Sequence, residues 1–189
     1  MNLKIKKLKA LETEMRANKK LPLKSSLVFG EGLATAKIVF IGEAPGAKED
    51  ELGRPFVGRS GKLLEESLKE IGLKREEVYI TNIVKRRPPV NRDPNPREIE
   101  AYKPYLEKQL EIIKPKIIVS LGRFALNYFF PDLKITGAQG QVFDYELGSE
   151  NKFKIKLLPI FHPAAAFRKK ETLKEFKKSF KVLVRFLKA

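Results

Sequence analysis

Polar residues that could do chemistry lie at the ends of three short apolar stretches. The turn Gly42-Glu43-Ala44-Pro45-Gly46 follows the first stretch, Asn82 interrupts the second, and His162, the only histidine, follows the last. The turn would present backbone N–H groups beside one carboxylate. The amide of Asn82 pairs a donor with an acceptor, as one edge of a nucleobase does. Each feature could also have a purely structural role. The turn could simply connect two elements, Asn82 could be hydrogen-bonded to nearby backbone, and His162 could be a structural histidine.

Aromatic and basic loops accompany these residues. Phe56 stands between Gly53 and Gly58, a setting that suits stacking on a flat ligand, although the ring could also fill the space beneath its loop. The helix predicted to begin at Ser60 could hold a phosphate with its free N–H groups. The segment 85–92 is basic and stiffened by proline, as contacts to a nucleic-acid backbone require. After His162 come small residues, an aromatic and three cations, which is typical of a loop that wedges into a duplex.

The composition limits the classes of chemistry and of partner. With no cysteine among 189 residues, disulfides, thiolate metal sites and cysteine nucleophiles are excluded. The net charge of +16 lies at the two ends: residues 1–30 carry eight Lys or Arg and two Glu, residues 152–189 carry twelve and two, and the middle is neutral. This distribution favours a polyanionic partner, with a heat-adapted surface as the alternative. No apolar run approaches the roughly 20 residues of a membrane helix, and the N-terminus lacks a signal sequence, so a cytoplasmic, DNA-associated location is expected.

Alternating periodicities predict the elements that must position these residues. Continuous apolar runs predict strands, and amphipathic stretches between them predict helices. We expect one domain over 1–189, a three-layer α/β/α sandwich around a mostly parallel four-stranded sheet, whose ligand site lies at the carboxyl ends of the strands. Residues 1–24 form a basic helix and its connector, and 171–188 a basic C-terminal helix. The predicted strands are 36–42, 78–84, 116–121 and 153–161, with a further one at 141–147. The other predicted helices are 62–71, which Gly61 and Gly72 enclose, 97–113 and a short one ending at 130.

Five motifs in order resemble the uracil-DNA glycosylase superfamily, and its family 4 branch above all. They are GEAPG (42–46), RPFVGRSG (54–61), YITNIVKRRPP (79–89), PKIIVSLGRFA (115–125) and LPIFHPAAA (158–166). Family 4 enzymes hold an iron–sulfur cluster on four cysteines, and here those positions fall at Asn18, Leu21, Arg86 and Tyr102. None of these can ligate iron. The resemblance therefore predicts a cluster-free relative with no cofactor, in which Tyr102, Leu21 and Pro22 pack together instead.

The resemblance also implies a role for each site residue. Phe56 would stack on the flipped base, Asn82 would bond O4 and N3–H of uracil, and His162, as a neutral imidazole, would donate to O2. Glu43 would position water or stabilise the sugar cation, with Glu49 and Asp50 as second candidates. The backbone of the 42–46 turn would contact substrate, and further residues would contact DNA. The implied substrate contacts come from the backbone of Gly42, Ala44 and Gly46. The implied DNA contacts come from Ser60, Lys85, Arg87, Phe167 and Arg168.

The expected function is removal of uracil from DNA in base excision repair, by a monofunctional hydrolase that leaves an abasic site and does not cut the strand. No motif places a lysine as a Schiff-base nucleophile, and the KRRPP loop (85–89) lacks the histidine of the branch that traps DNA covalently. Two alternatives stay open: a non-catalytic nucleic-acid-binding relative, and a nucleotide-dependent phosphotransferase, which the missing P-loop disfavours. The expected partners are uracil-containing DNA and a sliding clamp, and no membrane is expected. The protein is expected to be a monomer and to come from a thermophile.

Overall fold

The computed structural model describes residues 3–148 and 152–187, and in them eight helices and six strands. Lys188, the last residue of the predicted C-terminal helix, lies outside this part. The strands are β1 (Glu31–Gly32), β2 (Ile38–Gly42), β3 (Tyr79–Asn82), β4 (Ile117–Leu121), β5 (Phe143–Leu147) and β6 (Phe153–Ile160). The helices are α1 (Leu3–Ala17), α2 (Ala47–Leu52), α3 (Arg59–Glu70), α4 (Pro96–Ile113), α5 (Arg123–Phe129), α6 (Ile135–Ala138), α7 (Pro163–Ala166) and α8 (Lys170–Leu187); short 3-10 helices span Arg75–Glu77 and Pro89–Asn91.

The strands form one sheet in the order β1-β3-β2-β4-β6-β5. The central four, β3, β2, β4 and β6, are parallel, as their continuous apolar sequences predict. The predicted number of four strands is wrong, because the antiparallel strands β1 and β5 extend the sheet at its two edges. β1 has only two residues and β5 alternates between half-buried and exposed positions, so neither carries the apolar run of a central strand.

Helices cover both faces of the sheet, which confirms the three-layer sandwich. Alternate residues of β2 point to opposite faces: Val39 and Ile41 join the core beneath α1, α4 and α5, whereas Ile38 and Phe40 join the core beneath α3 and α8. Phe40 stacks on Phe180 of α8 at a ring-centroid distance of 5.8 Å. The two basic terminal helices therefore pack on opposite faces of the sheet.

A hydrogen-bonded junction ties the N-terminal helix and its connector to α4. The hydroxyl of the fully buried Tyr102 donates to the carbonyl of Pro22 at 2.6 Å, and Leu21 belongs to the same core cluster, which confirms the predicted packing. Asn18 Nδ2 donates to the hydroxyl of Tyr105 at 2.9 Å, and the Arg86 guanidinium donates to the carbonyl of Ser25. Polar and apolar packing thus joins these segments at the four positions where the family's cysteines are expected.

None of the helices in the described residues is long and apolar enough to cross a membrane.

Candidate active site

A cleft of about 790 Å³ opens at the carboxyl ends of the parallel strands. Strand ends meet there because β2, β3 and β6 run in the same direction, and each is followed by a loop that turns over the edge of the sheet. Most of the residues that the sequence predicts for a site line this one cleft: Glu43, Ala44, Gly46, Phe56, Ser60, Asn82, His162 and Arg168.

Asn82 supplies a buried polar group to the cleft. It ends β3, its side chain is only 2% exposed, and its amide oxygen Oδ1 has no hydrogen-bond partner among the described residues. A buried carbonyl without a partner costs about 1–3 kcal/mol. The last residue of β2, Gly42, lies opposite Asn82 in the parallel register. The unpaired oxygen is therefore a preformed acceptor for a ligand's N–H.

Phe56 lies against the same glycine. A Cβ on Gly42 would lie 2.4 Å from Asn82 Oδ1 and 2.5 Å from Phe56 Cζ, so only glycine allows both side chains to come this close. Phe56 itself adopts a left-handed backbone conformation with φ of 49°, which residues other than glycine rarely adopt. Its ring centroid lies 6.0 Å from that of His162, with an angle of 37° between the rings. An aromatic face, an amide and an imidazole thus converge.

His162 is held as a neutral hydrogen-bond donor. The residue caps the N-terminus of α7, where its Nδ1 accepts from the backbone N–H of Ala164 at 3.2 Å. Nδ1 therefore carries no proton, and the neutral ring carries its proton on Nε2. Burial lowers the pKa of His162 to about 4, against a smaller opposing effect of Glu49. The backbone packs tightly behind it, because a Cβ on Gly122 would lie 2.9 Å from His162 Cβ.

Glu43 is one of the carboxyl groups that line the cleft, together with Glu49 and Asp93. Burial, and to a smaller extent the negative charge of Asp93, raise the pKa of Glu43 to about 7 against the opposing effect of Arg123. Arg123 forms an ion pair with Asp93 at 2.5 Å. The backbone of Glu43 is fixed, since its carbonyl accepts from the N–H of Val84 at 3.0 Å. A carboxyl group with a pKa close to neutrality can exchange protons at physiological pH.

The second-candidate carboxylates Glu49 and Asp50 hold loops. Glu49 Oε1 accepts from the N–H groups of Val57 and Gly58 at 2.9 and 2.8 Å, and Oε2 accepts from that of Gly46 at 3.2 Å. Glu49 thereby joins the 42–46 turn to the loop that carries Phe56. Asp50 Oδ1 accepts from the N–H of Ser26 at 2.7 Å, and Asp50 is not among the residues that line the cleft.

The residues predicted to contact DNA divide into three groups. Ser60, in the first turn of α3, and the exposed Arg168 line the cleft. Phe167 is exposed beside it, with the guanidinium of Arg59 stacked 4.2 Å from its ring centroid. Arg87 lies outside the lining, where its Nε donates to Asn91 Oδ1 at 2.7 Å.

Lys85 does not reach the surface, so its predicted phosphate contact is wrong. The side chain is fully buried, and Nζ donates to Thr81 Oγ1 and to Gln109 Oε1, each at 2.5 Å. Burial lowers the pKa of Lys85 well below its usual value. A neutral amine has two N–H groups, which these two acceptors satisfy. Lys85 is thus part of the core between β3 and α4.

Several residues that line the cleft have no role predicted from the sequence, including Asp93, Gly122 and Arg123. Gly122 and Arg123 follow β4 at the same sheet edge, a position that could have identified them. Arg92 makes two hydrogen bonds to the carboxylate of Glu98, at 2.9 and 2.6 Å, and Glu98 also accepts from the N–H of Asn95. This pairing fixes the irregular segment before α4, and only the folded loop reveals it.

The four positions expected for cluster ligands do not fit an iron–sulfur cluster. An amide, an aliphatic side chain, a guanidinium and a phenol occupy them, and the chain contains no thiolate. Tyr102 and Leu21 fill the space between the segments with buried side chains. The described residues also contain no group of three or more His, Cys, Asp or Glu that could hold a metal ion.

The chain is similar to known proteins of one superfamily. The family model described as "Uracil DNA glycosylase superfamily" matches residues 29–188. A type-4 uracil-DNA glycosylase of Archaeoglobus fulgidus is 48% identical over 163 residues, which are 84% of this chain and 80% of that protein. One of Thermotoga maritima is 48% identical over 147 residues, 77% and 73% of the two chains. A type-5 uracil-DNA glycosylase of Pyrobaculum aerophilum is 30% identical over 148 residues, 70% and 63% of the two chains.

Proposed function

This chain belongs to the uracil-DNA glycosylase superfamily, a family of DNA glycosylases, and we propose that it hydrolyses the N-glycosidic bond of a deoxyuridine flipped out of DNA. The observation that carries the proposal is the buried, unpartnered Oδ1 of Asn82 in one cleft with Phe56 and His162. An orphaned acceptor beside an aromatic face and a donor matches the edges and the plane of a single base.

Asn82 would distinguish uracil from cytosine. Its Oδ1 accepts from N3–H of uracil, and its Nδ2 donates to O4. Cytosine presents an amino group and an unprotonated N3 at these places, so both partners are reversed and a buried polar group is left unpaired. Such a mismatch discriminates by orders of magnitude. Phe56, whose ring lies against Gly42, would stack on the face of the same base.

His162 would stabilise the departing base. When the bond between C1′ and N1 breaks, its electron pair leaves with uracil, and negative charge builds up on O2. The neutral ring donates from Nε2 because Nδ1 is occupied by the N–H of Ala164. A donor aimed at charge that develops only in the transition state lowers the barrier. With a pKa of about 4, the imidazole needs no protonation for this role at neutral pH.

Glu43 would act on the sugar side. As a carboxylate it stabilises the positive charge that develops at C1′, and it orients the water whose oxygen bonds to C1′. The proton that this water loses passes to the carboxylate, and the departing uracil anion takes a proton from solvent. No lysine is among the residues that line the cleft in the described part of the chain, which supports hydrolysis by water without a Schiff base. The product is an abasic site in an uncut strand. The cysteine-free junction at Tyr102 supports the further proposal that this chemistry uses no cofactor.

The DNA around the flipped nucleotide would be held by the rim of the cleft. Ser60 and Arg168 lie in position for phosphates, Phe167 for the space that the base vacates, and Arg87 for the neighbouring backbone. Uracil-containing DNA is thus the proposed partner, in the cytoplasm where a DNA-associated repair enzyme would work. Binding of a sliding clamp and a monomeric state stay predictions, which clamp co-elution and sedimentation would check.

The test is release of uracil from a labelled duplex that contains one U·G pair, in the presence of a chelator, with alkali to reveal abasic sites. We expect cleavage only after alkali, and no reaction with a T·A control. Asn82→Ala and His162→Ala should each lower the single-turnover rate about 100-fold or more and leave duplex affinity within threefold. Gln141→Ala, which removes an exposed amide outside the cleft, is the matched control and should keep the wild-type rate.

Two outcomes would contradict the proposal. Salt-sensitive duplex binding without uracil release would identify a non-catalytic DNA-binding relative. Full activity of both cleft variants would place the reaction elsewhere.

A further inference from the structure

Phe56 is held in a conformation that its own chain does not favour. A positive φ of 49° at a residue with a side chain is strained, and it persists only where the surroundings impose it. Relaxation to a negative φ would turn the side chain relative to the preceding backbone, and so change the position of the ring relative to Gly42. The position of the ring therefore depends on whatever holds the backbone of residues 55 and 56.

Arg75 holds that backbone. From the short 3-10 helix after α3, its guanidinium Nη1 donates to the carbonyl of Phe56 at 2.9 Å, and Nη2 donates to the carbonyl of Pro55. The Arg75 side chain is only 11% exposed. Two consecutive carbonyls bound by one planar guanidinium fix the orientation of the peptide between them, which a single-point donor cannot do.

Glu31, on the edge strand β1, orients this guanidinium. Its Oε1 accepts from Arg75 Nε at 2.7 Å, and its Oε2 accepts from Arg54 Nε at 2.7 Å. Burial acts to raise the pKa of Glu31, but the hydrogen bonds and charges of Arg54 and Arg75 outweigh it and hold the pKa below its usual value. The carboxylate therefore stays charged and paired at neutral pH.

Gly61 packs against the other side of the Phe56 carbonyl. A Cβ at this position of α3 would lie 1.8 Å from the oxygen of Phe56. The carbonyl is thus enclosed between a helix backbone and a guanidinium. Neither Arg75 nor Glu31 is among the residues that line the cleft, so both act on a bound base only through Phe56.

We propose that Arg75, oriented by Glu31, is a positioning residue that holds Phe56 in its left-handed conformation and so keeps the stacking face in place before a base enters. The inference rests on the proposed function, because it assigns the stacking role to Phe56. Its physical content is preorganisation: the strain is maintained by the folded framework and does not have to be supplied when substrate binds.

A double-mutant cycle tests the proposal by single-turnover uracil release. Arg75→Gln should lower the rate at least tenfold, and Arg75→Lys, which keeps the charge but offers a single point of contact, should lower it less. In a Phe56→Ala background the same Arg75→Gln change should cost less than twofold, because the ring through which Arg75 acts is absent. Arg54→Gln also removes a partner of Glu31 but touches neither carbonyl, and it serves as the matched control with a rate near wild type.

A second measurement does not depend on turnover. The ring resonances of Phe56 in an NMR spectrum, identified by their loss in Phe56→Leu, are shifted by the His162 ring 6.0 Å away. In Arg75→Gln they should move toward the values of an unstructured phenylalanine, while the resonances of the Phe40–Phe180 pair in the core stay unchanged.

Either of two results would overturn the inference: equal rate losses for Arg75→Gln with and without Phe56, or unchanged Phe56 resonances in Arg75→Gln. If the wild-type protein releases no uracil, the proposed function fails, and the NMR comparison still decides whether Arg75 positions the ring.

Discussion

The protonation state of one carboxyl group, that of Glu43, should control the rate of uracil release. Burial and the nearby Asp93 raise its pKa to about 7, so the acid and the carboxylate forms are both populated near neutral pH. Only the carboxylate can stabilise positive charge on the sugar. The single-turnover rate should therefore rise about tenfold per pH unit below pH 7 and level off above it, as a rate–pH profile from pH 5 to 9 would show.

Glu43→Gln provides the control for this profile. The amide has nearly the same shape but does not titrate, so the variant should be slow and its rate should not change around pH 7. A wild-type rate that is flat across this range, or a step that persists in Glu43→Gln, would show that another group titrates. His162 is not expected to supply that step, because its pKa lies near 4.

At the same scale, the location of four cleft residues could be predicted from the sequence, and that of one buried lysine could not. Glu43, Asn82 and His162 each follow a recognisable strand, so the topology of a parallel sheet brings them together without detailed knowledge of packing. Phe56 was predicted from its flanking glycines. Lys85 also follows a strand, but its amine donates a hydrogen bond to Gln109, 24 positions away in α4, and is thereby held in the core. Such a partner is visible only after folding.

At the scale of elements, Lys85 links the end of β3 to α4, and it should make stability depend on pH. Burial lowers its pKa in the folded state, whereas the unfolded chain holds the proton up to about pH 10.5. Within this interval the unfolded chain binds one proton more than the folded chain, so folding releases a proton and raising the pH favours folding, by up to about 1.4 kcal/mol per pH unit.

Lys85→Met should abolish this dependence. Denaturant unfolding at pH 7, 8 and 9 should show the free energy of unfolding of wild type rising relative to that of the variant. Lys62→Met, which removes an exposed lysine from α3, should keep the wild-type slope. Parallel slopes for wild type and Lys85→Met would mean that Lys85 is protonated in the core.

The edges of the sheet show why the central elements were easier to predict than the peripheral ones. β2 and β4 are buried at every position, so their sequences are continuous apolar runs. β1 consists of Glu31 and Gly32, and it is a strand only because β3 offers it hydrogen-bonding partners. Its contribution is nonetheless specific, since Glu31 orients Arg75 behind Phe56. An edge strand that exists only because it pairs with its neighbour shows no hydrophobic periodicity in its own sequence.

For the whole molecule, the charge is placed unequally with respect to the cleft. α8 begins beside it, two residues after the cleft residue Arg168, whereas α1 packs on the opposite face of the sheet with Leu8, Leu11 and Met15 in the other core. Both ends are basic in the sequence, but the fold places only one of them next to the proposed DNA site. Charge composition alone could not make this distinction.

The salt dependence of duplex binding should reveal this asymmetry. Replacement of Lys169, Lys170 and Lys174 by Gln removes three exposed cations next to the cleft, and each lost phosphate contact should reduce the slope of log K against log salt by about 0.9. Replacement of Lys6, Lys7 and Lys9 by Gln removes the same charge from the exposed part of α1 and should leave the slope within error. Equal changes in the two variants would mean that the total charge of the protein attracts DNA, since a contact surface at the cleft acts over only about 10 Å at 0.1 M salt.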